Sequence, residues 1–486
     1  MDSTMGEDVQ AYPPASQKKA DHLCVLVHGL YGNPSHLDYI AGALRERYAE
    51  ELYILAVTRN AGPLTYDGVE RGGERVAHEI EEALETLHEQ GYNIKKLSMV
   101  GYSLGGLVAR YAIGLLYSKG YFDRIEPVNF TTFATPHVGV RCPARKAHFW
   151  NVLGARTISE SGRQLFMIDS FRDTGKPLFS VLASPGSIFM LGLAKFRHRS
   201  LYANIINDLA AVYYTTGISK TDPFVQLDKV NINYVPGYSS VILDPDDPVH
   251  VKIEERSFRR WMIDRSTAFF ADLPFVLFMA IFLPIGTLVY LLNAGIQTVR
   301  SKKRIRSHEE GKSGSFFGSY KVPLIVEEMR NVVEDMYESV NAAQKPEYLF
   351  GENDQPANLK HRSSFPNRQS RPSESEMEPL LDDVPSRKTL DDESDTRSKR
   401  SSSSLNDAPT RSPPPEYGVP EFPTLALTQQ QFAIIDSLNS VGFRKYPVHI
   451  HKAKHSHAAM IVRMPKKHFY EGKIVVRHWL ENEFFI

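Results

Sequence analysis

The sequence has 486 residues, 42% of them hydrophobic, and its 57 basic and 57 acidic side chains cancel to a formal charge of zero. This length allows a large buried α/β core together with segments outside it. The balanced charge gives no indication of nucleic-acid binding through bulk electrostatics. The two cysteines, Cys24 and Cys142, are too few for a disulfide framework or a thiolate metal site.

Residues 1–20 have no apolar run and contain acidic residues and prolines. This composition does not fit a secretory signal. We therefore expect a flexible N-terminus and a chain that faces the reducing cytosol.

From residue 21 the sequence alternates apolar strand patterns with amphipathic helical patterns. Helices are predicted after a Ser35 cap, after Gly72-Gly73, and from Thr428, which forms a capping box with Gln431. Strands are predicted at 22–27, 52–57, 97–100, 128–134, 202–206 and 446–450. These repeated strand and helix units predict an α/β fold with a doubly wound, mostly parallel sheet. We expect its core to comprise residues 21–255 and 425–486.

The hexapeptide Gly101-Tyr102-Ser103-Leu104-Gly105-Gly106 stands between an apolar strand pattern and a helical pattern. This is the context of a nucleophile elbow, a turn so tight that Gly101 and Gly105 must lack a β-carbon. Such a turn lifts the Ser103 hydroxyl above the sheet edge. The hexapeptide therefore predicts a nucleophilic serine in an α/β-hydrolase fold, and a plain strand-to-helix turn is the alternative.

A nucleophilic serine needs an imidazole base that a carboxylate orients. In α/β-hydrolases these groups follow in the chain order serine, acid, histidine. Asp208, just after the strand at 202–206, is predicted as the acid, with Asp222 as the alternative. His457 is predicted as the base, because it lies between a loop and an apolar element, and His455 is the alternative.

The other histidines fit the chain order or the loop position less well. His449 and His451 alternate along the last predicted strand, and His137 precedes the acid, so we interpret His137 as structural. For the oxyanion hole we predict the backbone N–H groups of Leu104, directly after the nucleophile, and of Leu30, after the first strand. The mechanism requires no cofactor and no metal.

Between residues 141 and 200 the helical and strand periodicity weakens while Phe, Leu and Arg remain frequent. An insertion at this place, beside the active-site edge, predicts a cap with an apolar surface. Ordinary helices of the core are the alternative.

Residues 267–293 form the most hydrophobic stretch, and 275–292 contain no charged side chain. This length predicts a membrane segment, with a buried core helix as the alternative. Basic clusters lie on both sides of the stretch, so both ends are expected in the cytosol. Pro284 near its middle divides it into two arms of about 12 residues, each roughly 18 Å long if helical, which predicts a hairpin in one leaflet.

Residues 345–424 are dominated by Ser, Pro, Asp, Arg and Glu. Such a composition buries too little apolar surface to fold, so we expect a disordered linker. Within it Pro414, Pro415 and Tyr417 form the P-P-x-Y pattern that WW domains bind, which predicts a WW-domain partner.

Several of these motifs together resemble the putative serine esterase (DUF676-type) family of fungal lipases. The matching segments cover about residues 21–225 and 425–486, and they are 27–33, 101–106, 133–140, 202–208 and 456–459. That family includes lipid-droplet phospholipases and acylglycerol lipases. The resemblance implies hydrolysis of glycerolipid esters and is consistent with Ser103, Asp208 and His457 as the triad.

The order of the triad and the hydrophobic stretch along the chain restricts the membrane topology. Ser103 and Asp208 precede residues 267–293 and His457 follows them, so a single crossing would separate the base from the nucleophile. We therefore expect a cytosol-facing serine lipase or phospholipase at a lipid droplet or the endoplasmic reticulum. The alternatives are a small-ester or acyl-protein esterase, and an inactive membrane-bound adaptor.

Overall fold

A seven-stranded sheet forms the centre of the described residues in the computed structural model. The structure describes residues 11–12, 20–140, 159–208, 210–252, 295–296, 298–307, 310 and 422–486. These residues belong to one compact unit, which comprises Met1–Tyr348 and Pro420–Ile486. The predicted membrane segment at 267–293, the P-P-x-Y motif and the linker up to residue 421 lie outside the described residues.

The described strands are β1 (Ala11–Tyr12), β2 (His22–Val27), β3 (Leu52–Ala56), β4 (Lys96–Tyr102), β5 (Glu126–Phe133), β6 (His198–Asn204), β7 (Val230–Ile232), β8 (Val249–Val251) and β9 (Arg444–Val448). In the main sheet they lie in the order β1-β3-β2-β4-β5-β6-β9, and all pairs are parallel except β1 with β3, which is antiparallel. A separate antiparallel pair joins β7 and β8. The predicted parallel sheet is confirmed, but two residues of the expected flexible N-terminus pair with β3.

The labelled helices of the described residues lie between these strands or follow β9. They are α1 (Asp38–Tyr48), α2 (Val69–Glu89), α3 (Leu104–Ser118), α4 (Ser159–Leu165), α5 (Leu178–Leu182), α6 (Ile188–Lys195), α7 (Tyr213–Thr216), α8 (Gln429–Ser440), α9 (Ser456–Ala459) and α10 (Tyr470–Asn482). The capping box at the start of α8 forms as predicted. The Ser35 cap does not, because the side chain of Asn33 accepts the Ser35 N–H and caps a 3₁₀ turn before α1.

Hydrophobic cores cover both faces of the parallel sheet. Along β2, Leu23, Val25 and Val27 point into a core with α2 and α3, while Cys24 and Leu26 point into a core with α1 and α10. Successive side chains of a strand point to opposite faces, so a sheet covered on both sides needs apolar residues at every position. This explains why the strand at 22–27 is apolar almost throughout.

The described part of the predicted cap packs into the core. Phe179, Leu182, Phe189 and Leu193 of α5 and α6 are buried in the same cluster as α3. Residues 178–195 are therefore core helices, which was the alternative interpretation, because their apolar side chains face α3 instead of an open cleft. Residues 141–158 of the predicted cap lie outside the described residues.

Residues 298–307, which follow the hydrophobic stretch, are helical and contact the core through a buried carboxylate. Asp67 accepts hydrogen bonds from Ser301 (2.7 Å) and Arg304 (2.7 Å), and Arg75 donates to its other oxygen at 2.7 Å. The Asp67 side chain is fully buried. This contact fixes the position at which the chain re-enters the core. Among the described residues, no helix is both long and apolar enough to span a membrane.

The turn from β4 to α3 is as tight as the sequence predicts. A β-carbon at Gly101 would lie 2.3 Å from the Gly106 Cα, and one at Gly105 would lie 2.1 Å from the Val27 carbonyl oxygen. Both contacts are with backbone, which cannot rotate away as a side chain can. The two glycines are therefore required by the close approach of three chain segments.

We expect Gly105→Ala to lower the free energy of unfolding by about 3 kcal/mol or more, because the added methyl overlaps backbone atoms. Gly42→Ala is the matched control, since a β-carbon there meets no described heavy atom within 4 Å. At that exposed position in α1, alanine should raise the free energy of unfolding by about 0.5 to 1 kcal/mol. Thermal or denaturant unfolding of the full chain measures both. Equal stability of the two variants would contradict the proposed overlap.

Candidate active site

Ser103 lies at the carboxyl end of β4, in a backbone conformation that side chains rarely adopt. Its φ is +54° and its ψ is −128°, and its N–H donates to the Phe133 carbonyl at 2.9 Å. Residues held in such conformations cluster at functional sites, where the surrounding structure compensates for the strain. Gly29 allows the β2 turn to approach closely, because a β-carbon there would lie 2.8 Å from the Ser103 Cβ.

His457 contacts both of the other predicted triad residues. Its Nε2 lies 2.9 Å from the Ser103 Oγ, and its Nδ1 lies 2.9 Å from Asp208 Oδ2. In the tautomer that these contacts favour, Nδ1–H donates to the carboxylate and Nε2 accepts the serine hydroxyl. The structure therefore brings together Ser103, Asp208 and His457 in a hydrogen-bonded series, with the imidazole between the other two.

Asp208 is held by a set of donors on both of its oxygens. The Asn204 side-chain amide donates to Oδ2 at 2.9 Å, and the backbone N–H groups of Ala210 and Ala211 donate to Oδ1 at 3.1 and 2.9 Å. The side chain is only 2% exposed. A buried carboxylate is costly unless its oxygens accept hydrogen bonds, so these donors stabilise it and fix the oxygen that faces His457.

Neighbouring residues fix the position of His457. The hydroxyl of Ser456 donates to the Ile206 carbonyl at 2.8 Å, which links the histidine segment to the loop of the acid. The Tyr102 hydroxyl donates to the His457 carbonyl at 3.2 Å, and the two ring centroids lie 5.1 Å apart. Both contacts restrict the backbone of His457 rather than its reacting nitrogen.

The two predicted oxyanion donors belong to the nucleophile elbow and to the turn after β2, which approaches Ser103 at Gly29. Leu104 is the first residue of α3, where helical N–H groups have no intrahelical acceptor. Leu30 follows Gly29 in the turn after β2, and the next N–H, that of Tyr31, donates to the Thr65 hydroxyl at 2.8 Å. Within the described residues, the Leu30 and Leu104 N–H groups donate to no protein acceptor. They are therefore available to an oxygen of a bound substrate.

The alternative acid and the other histidines occupy other positions. Asp222 accepts the Phe224 N–H at 3.1 Å and caps a short 3₁₀ helix. His449 lies 2.7 Å from the Tyr234 hydroxyl, and burial lowers its pKa to about 4. His455 is exposed just before α9. His137 is fully buried with its Nε2 2.9 Å from the Thr132 hydroxyl, which agrees with a structural role.

His28 is a buried neighbour of the oxyanion turn that the sequence interpretation did not single out. Its Nδ1 lies 3.1 Å from the Gly29 carbonyl oxygen, and burial lowers its pKa to about 4. The ring is therefore neutral at physiological pH and adds no charge behind the turn. In the described part of the chain, no group of three or more His, Cys, Asp or Glu residues is placed to hold a metal ion.

Three supporting residues were not predicted as parts of the site, although Tyr102 and Asn204 lie in the segments 101–106 and 202–208 that carry the family resemblance. Asn204 orients the acid, Tyr102 contacts the base, and the positive charge of Arg463 opposes the rise that burial causes in the pKa of Tyr102. Asn204 lies four residues before Asp208 at the end of a strand, so its position could have suggested it. Nothing in the sequence pairs Tyr102 with Arg463, because the two lie on distant segments.

Comparisons with known sequences agree with the site geometry. Residues 17–221 match the family described as putative serine esterase (DUF676). Putative lipase ROG1 of Saccharomyces cerevisiae is 31% identical over 250 residues, which are 50% of this chain and 35% of that protein. Putative lipase YDL109C of the same organism is 28% identical over 258 residues, or 48% of this chain and 38% of that protein. The matched region thus spans little more than a third of each relative.

Solved structures give partial matches at low identity. A Trichoderma reesei cutinase bound to a phosphonate inhibitor is 21% identical with a TM-score of 0.19, over 26% of this chain and 56% of that chain. The rice cell wall degrading esterase LipA from Xanthomonas oryzae is 15% identical with a TM-score of 0.22, over 30% of this chain and 44% of that chain. We therefore base the fold on the strand order and the elbow described above.

The strand order, the elbow and the sequence match converge on one assignment. Residues 17–221 match the family described as putative serine esterase (DUF676), and the described residues have the strand order and the nucleophile elbow of an α/β-hydrolase fold.

Proposed function

We propose that this chain is a serine-dependent carboxylic ester hydrolase that works through an acyl-enzyme. The observation that carries the proposal is the series of hydrogen bonds from Ser103 through His457 to Asp208, with 2.9 Å at both contacts of the imidazole. A hydroxyl is a weak nucleophile at neutral pH unless a base accepts its proton. His457 is in position to do so.

Each group then has a defined role in ester cleavage. The Ser103 Oγ attacks the ester carbonyl carbon while its proton moves to His457 Nε2, and Asp208 stabilises the resulting imidazolium. The Leu30 and Leu104 N–H groups donate to the oxyanion. When the tetrahedral intermediate collapses, the proton passes from Nε2 to the leaving alcohol. Water activated by the same nitrogen then hydrolyses the acyl-enzyme and restores the serine.

For the substrate we propose acyl esters of glycerolipids or phospholipids at a membrane or lipid-droplet surface. The relatives ROG1 and YDL109C are described as putative lipases, which supports a lipid substrate for this chain. Tyr31, directly after the oxyanion residue Leu30, is 57% exposed, so an aromatic side chain is accessible beside the oxyanion turn. Exposed aromatic side chains favour contact with a lipid interface.

We further propose that the hydrophobic stretch enters a cytosol-facing membrane from one side and returns to the same side. The described residues on both flanks support this topology. Before the stretch, Val249–Val251 pairs with β7, and after it Ser301 and Arg304 contact Asp67 of the same unit. If residues 267–293 are inserted, both of their ends must therefore reach one domain.

Labelling with a fluorophosphonate tests the serine. The reagent should modify the full chain covalently, because phosphonylation of an activated serine needs the same base and oxyanion donors as ester attack. Ser103→Ala should abolish the label, and Ser35→Ala, at an exposed hydroxyl outside the triad, should keep it. A folded parent chain that takes no label would favour the inactive-adaptor alternative.

Paired substitutions test the acid and the base. Asp208→Asn should lower kcat for a soluble ester by roughly 10⁴-fold, because the amide favours the wrong imidazole tautomer, while Asp222→Asn should change it little. His457→Gln should lower kcat to a similar degree, while His455→Gln should not. Steady-state kinetics of the four variants checks this assignment. Comparable losses in the two members of either pair would contradict it.

Protease protection tests the topology in sealed vesicles that carry the full chain. Epitope tags before Ala20 and after Ile486 should both be digested from outside, because both flanks of the stretch belong to one unit. Both tags should also stay with the vesicles after alkaline extraction if the stretch is inserted. Digestion of one tag with protection of the other would indicate a single crossing and contradict the proposal.

A further inference from the structure

A surface groove close in sequence to the catalytic histidine has five cationic side chains among its lining residues. It has a volume of about 850 Å³ and lies between the segment that leads into α1 and the segment before and within α10. We call it the basic groove and define it by Lys452, Arg463, Lys466, Lys467 and Lys473. Asp38 is the one carboxylate among its lining residues. The groove therefore carries a strong positive charge in a chain whose total formal charge is zero.

The lysines of the basic groove are exposed, and none of them forms an ion pair within the described residues. Lys473 Nζ lies 5.7 Å from the centroid of the Tyr39 ring, and Lys466 Nζ lies 6.0 Å from that of Phe469. Tyr470, another lining residue, is 56% exposed. An exposed aromatic ring among ammonium groups that form no ion pair in the described residues is a combination that suits the interface between lipid headgroups and acyl chains.

Arg463 connects the basic groove to the catalytic residues. Burial raises the pKa of Tyr102, the residue before the nucleophile, and the nearby positive charge of Arg463 opposes that rise. The Tyr102 hydroxyl donates to the His457 carbonyl, and the backbone N–H of Arg463 donates to the Ala458 carbonyl at 3.1 Å. Arg463 thus links the groove to the segment that carries the base.

A second basic surface lies on the other side of the oxyanion turn. Ser301 and Arg304 face Asp67, which leaves Arg300, Lys302 and Lys303 of the same helix exposed. This helix packs on the 3₁₀ helix Gly62–Asp67, whose Thr65 hydroxyl accepts the Tyr31 N–H. This second group of cationic side chains is therefore linked to the turn at Leu30 and Tyr31 through the 3₁₀ helix.

We propose that the basic groove binds the phosphates of an anionic membrane surface and so directs the mouth of the site toward the lipid. A membrane fits better than a soluble anion, because the exposed lysines are spread along an open groove that also presents an aromatic ring. The uncharged stretch 275–292 also ends six residues before Thr298, the first residue of the helical segment 298–307. The second basic surface is therefore close in sequence to the predicted membrane segment. This inference deepens the proposed function and rests on it for the role of the lipid as substrate.

Vesicle binding by the full chain with Ser103→Ala tests the basic groove without any contribution from catalysis. The vesicles contain phosphatidylcholine alone, or phosphatidylcholine with about a third phosphatidylserine, a composition that attracts lysines near its surface. The anionic lipid should raise partitioning by about tenfold or more over phosphatidylcholine alone. Lys466→Gln, Lys467→Gln and Lys473→Gln together should remove most of this increase and leave binding to phosphatidylcholine unchanged.

The matched control removes the same charge at the opposite edge of the sheet. Lys95, Arg124 and Lys195 are exposed just before β4, β5 and β6, so replacing all three with Gln should keep the increase. Melting temperatures verify that both triple variants are folded.

Three results would overturn the inference: no increase in the parent, equal losses in both triple variants, or displacement from the vesicles by inorganic phosphate at constant ionic strength. Absence of fluorophosphonate labelling would instead overturn the proposed function and leave the binding result standing.

Discussion

The contact of His457 with Asp208 and Ser103 is the constraint on which the rest of the structure depends. It joins residues that are 249 and 354 positions apart in the sequence. The contact forms because β9 pairs in parallel with β6, which brings the carboxyl ends of both strands to one edge of the sheet. The loops of the acid and the base start from that edge. Whatever lies between residues 208 and 457 must therefore return the chain to this edge.

The buried carboxylate of the site is stabilised by hydrogen-bond donors on both of its oxygens. Asp208 accepts hydrogen bonds from Asn204, Ala210, Ala211 and His457. These bonds replace the hydrogen bonds that its oxygens would accept from water in the unfolded chain. Ser103 has a positive φ in a turn where glycines allow close approach of neighbouring segments: a β-carbon at Gly29 would lie 2.8 Å from the Ser103 Cβ, and one at Gly105 would lie 2.1 Å from the Val27 carbonyl oxygen. The site is thus formed before any substrate binds.

The sequence predicts best what depends on local pattern. Strands buried on both faces must be apolar, and the elbow needs its glycines at fixed spacing, so β2, β4 and Ser103 could be recognised directly. The chain order of an α/β-hydrolase led to the contact of Asp208 with His457.

Contacts between common polar residues on distant segments could not be predicted. Arg463 with Tyr102 and Arg304 with Asp67 leave no periodic signal, because such residues also occur frequently on solvated surfaces. The predicted start of α1 was wrong for a related reason. Asn33 and Ser35 are both good caps, and the choice between them depends on the Pro34 turn that intervenes.

The long segment between residues 221 and 424 is compatible with the fold because its two ends are held together. Thr221 forms an antiparallel bridge with Thr424, and the Leu425 N–H donates to the Lys220 carbonyl at 2.9 Å. The sequence match to the DUF676 family ends at residue 221, the same point. The entropy of closing a loop grows only with the logarithm of its length, so a closed junction tolerates many added residues. Because the bridge holds the two ends of this segment together, the geometry of the triad does not depend on the length of the segment, and His457 still reaches Ser103.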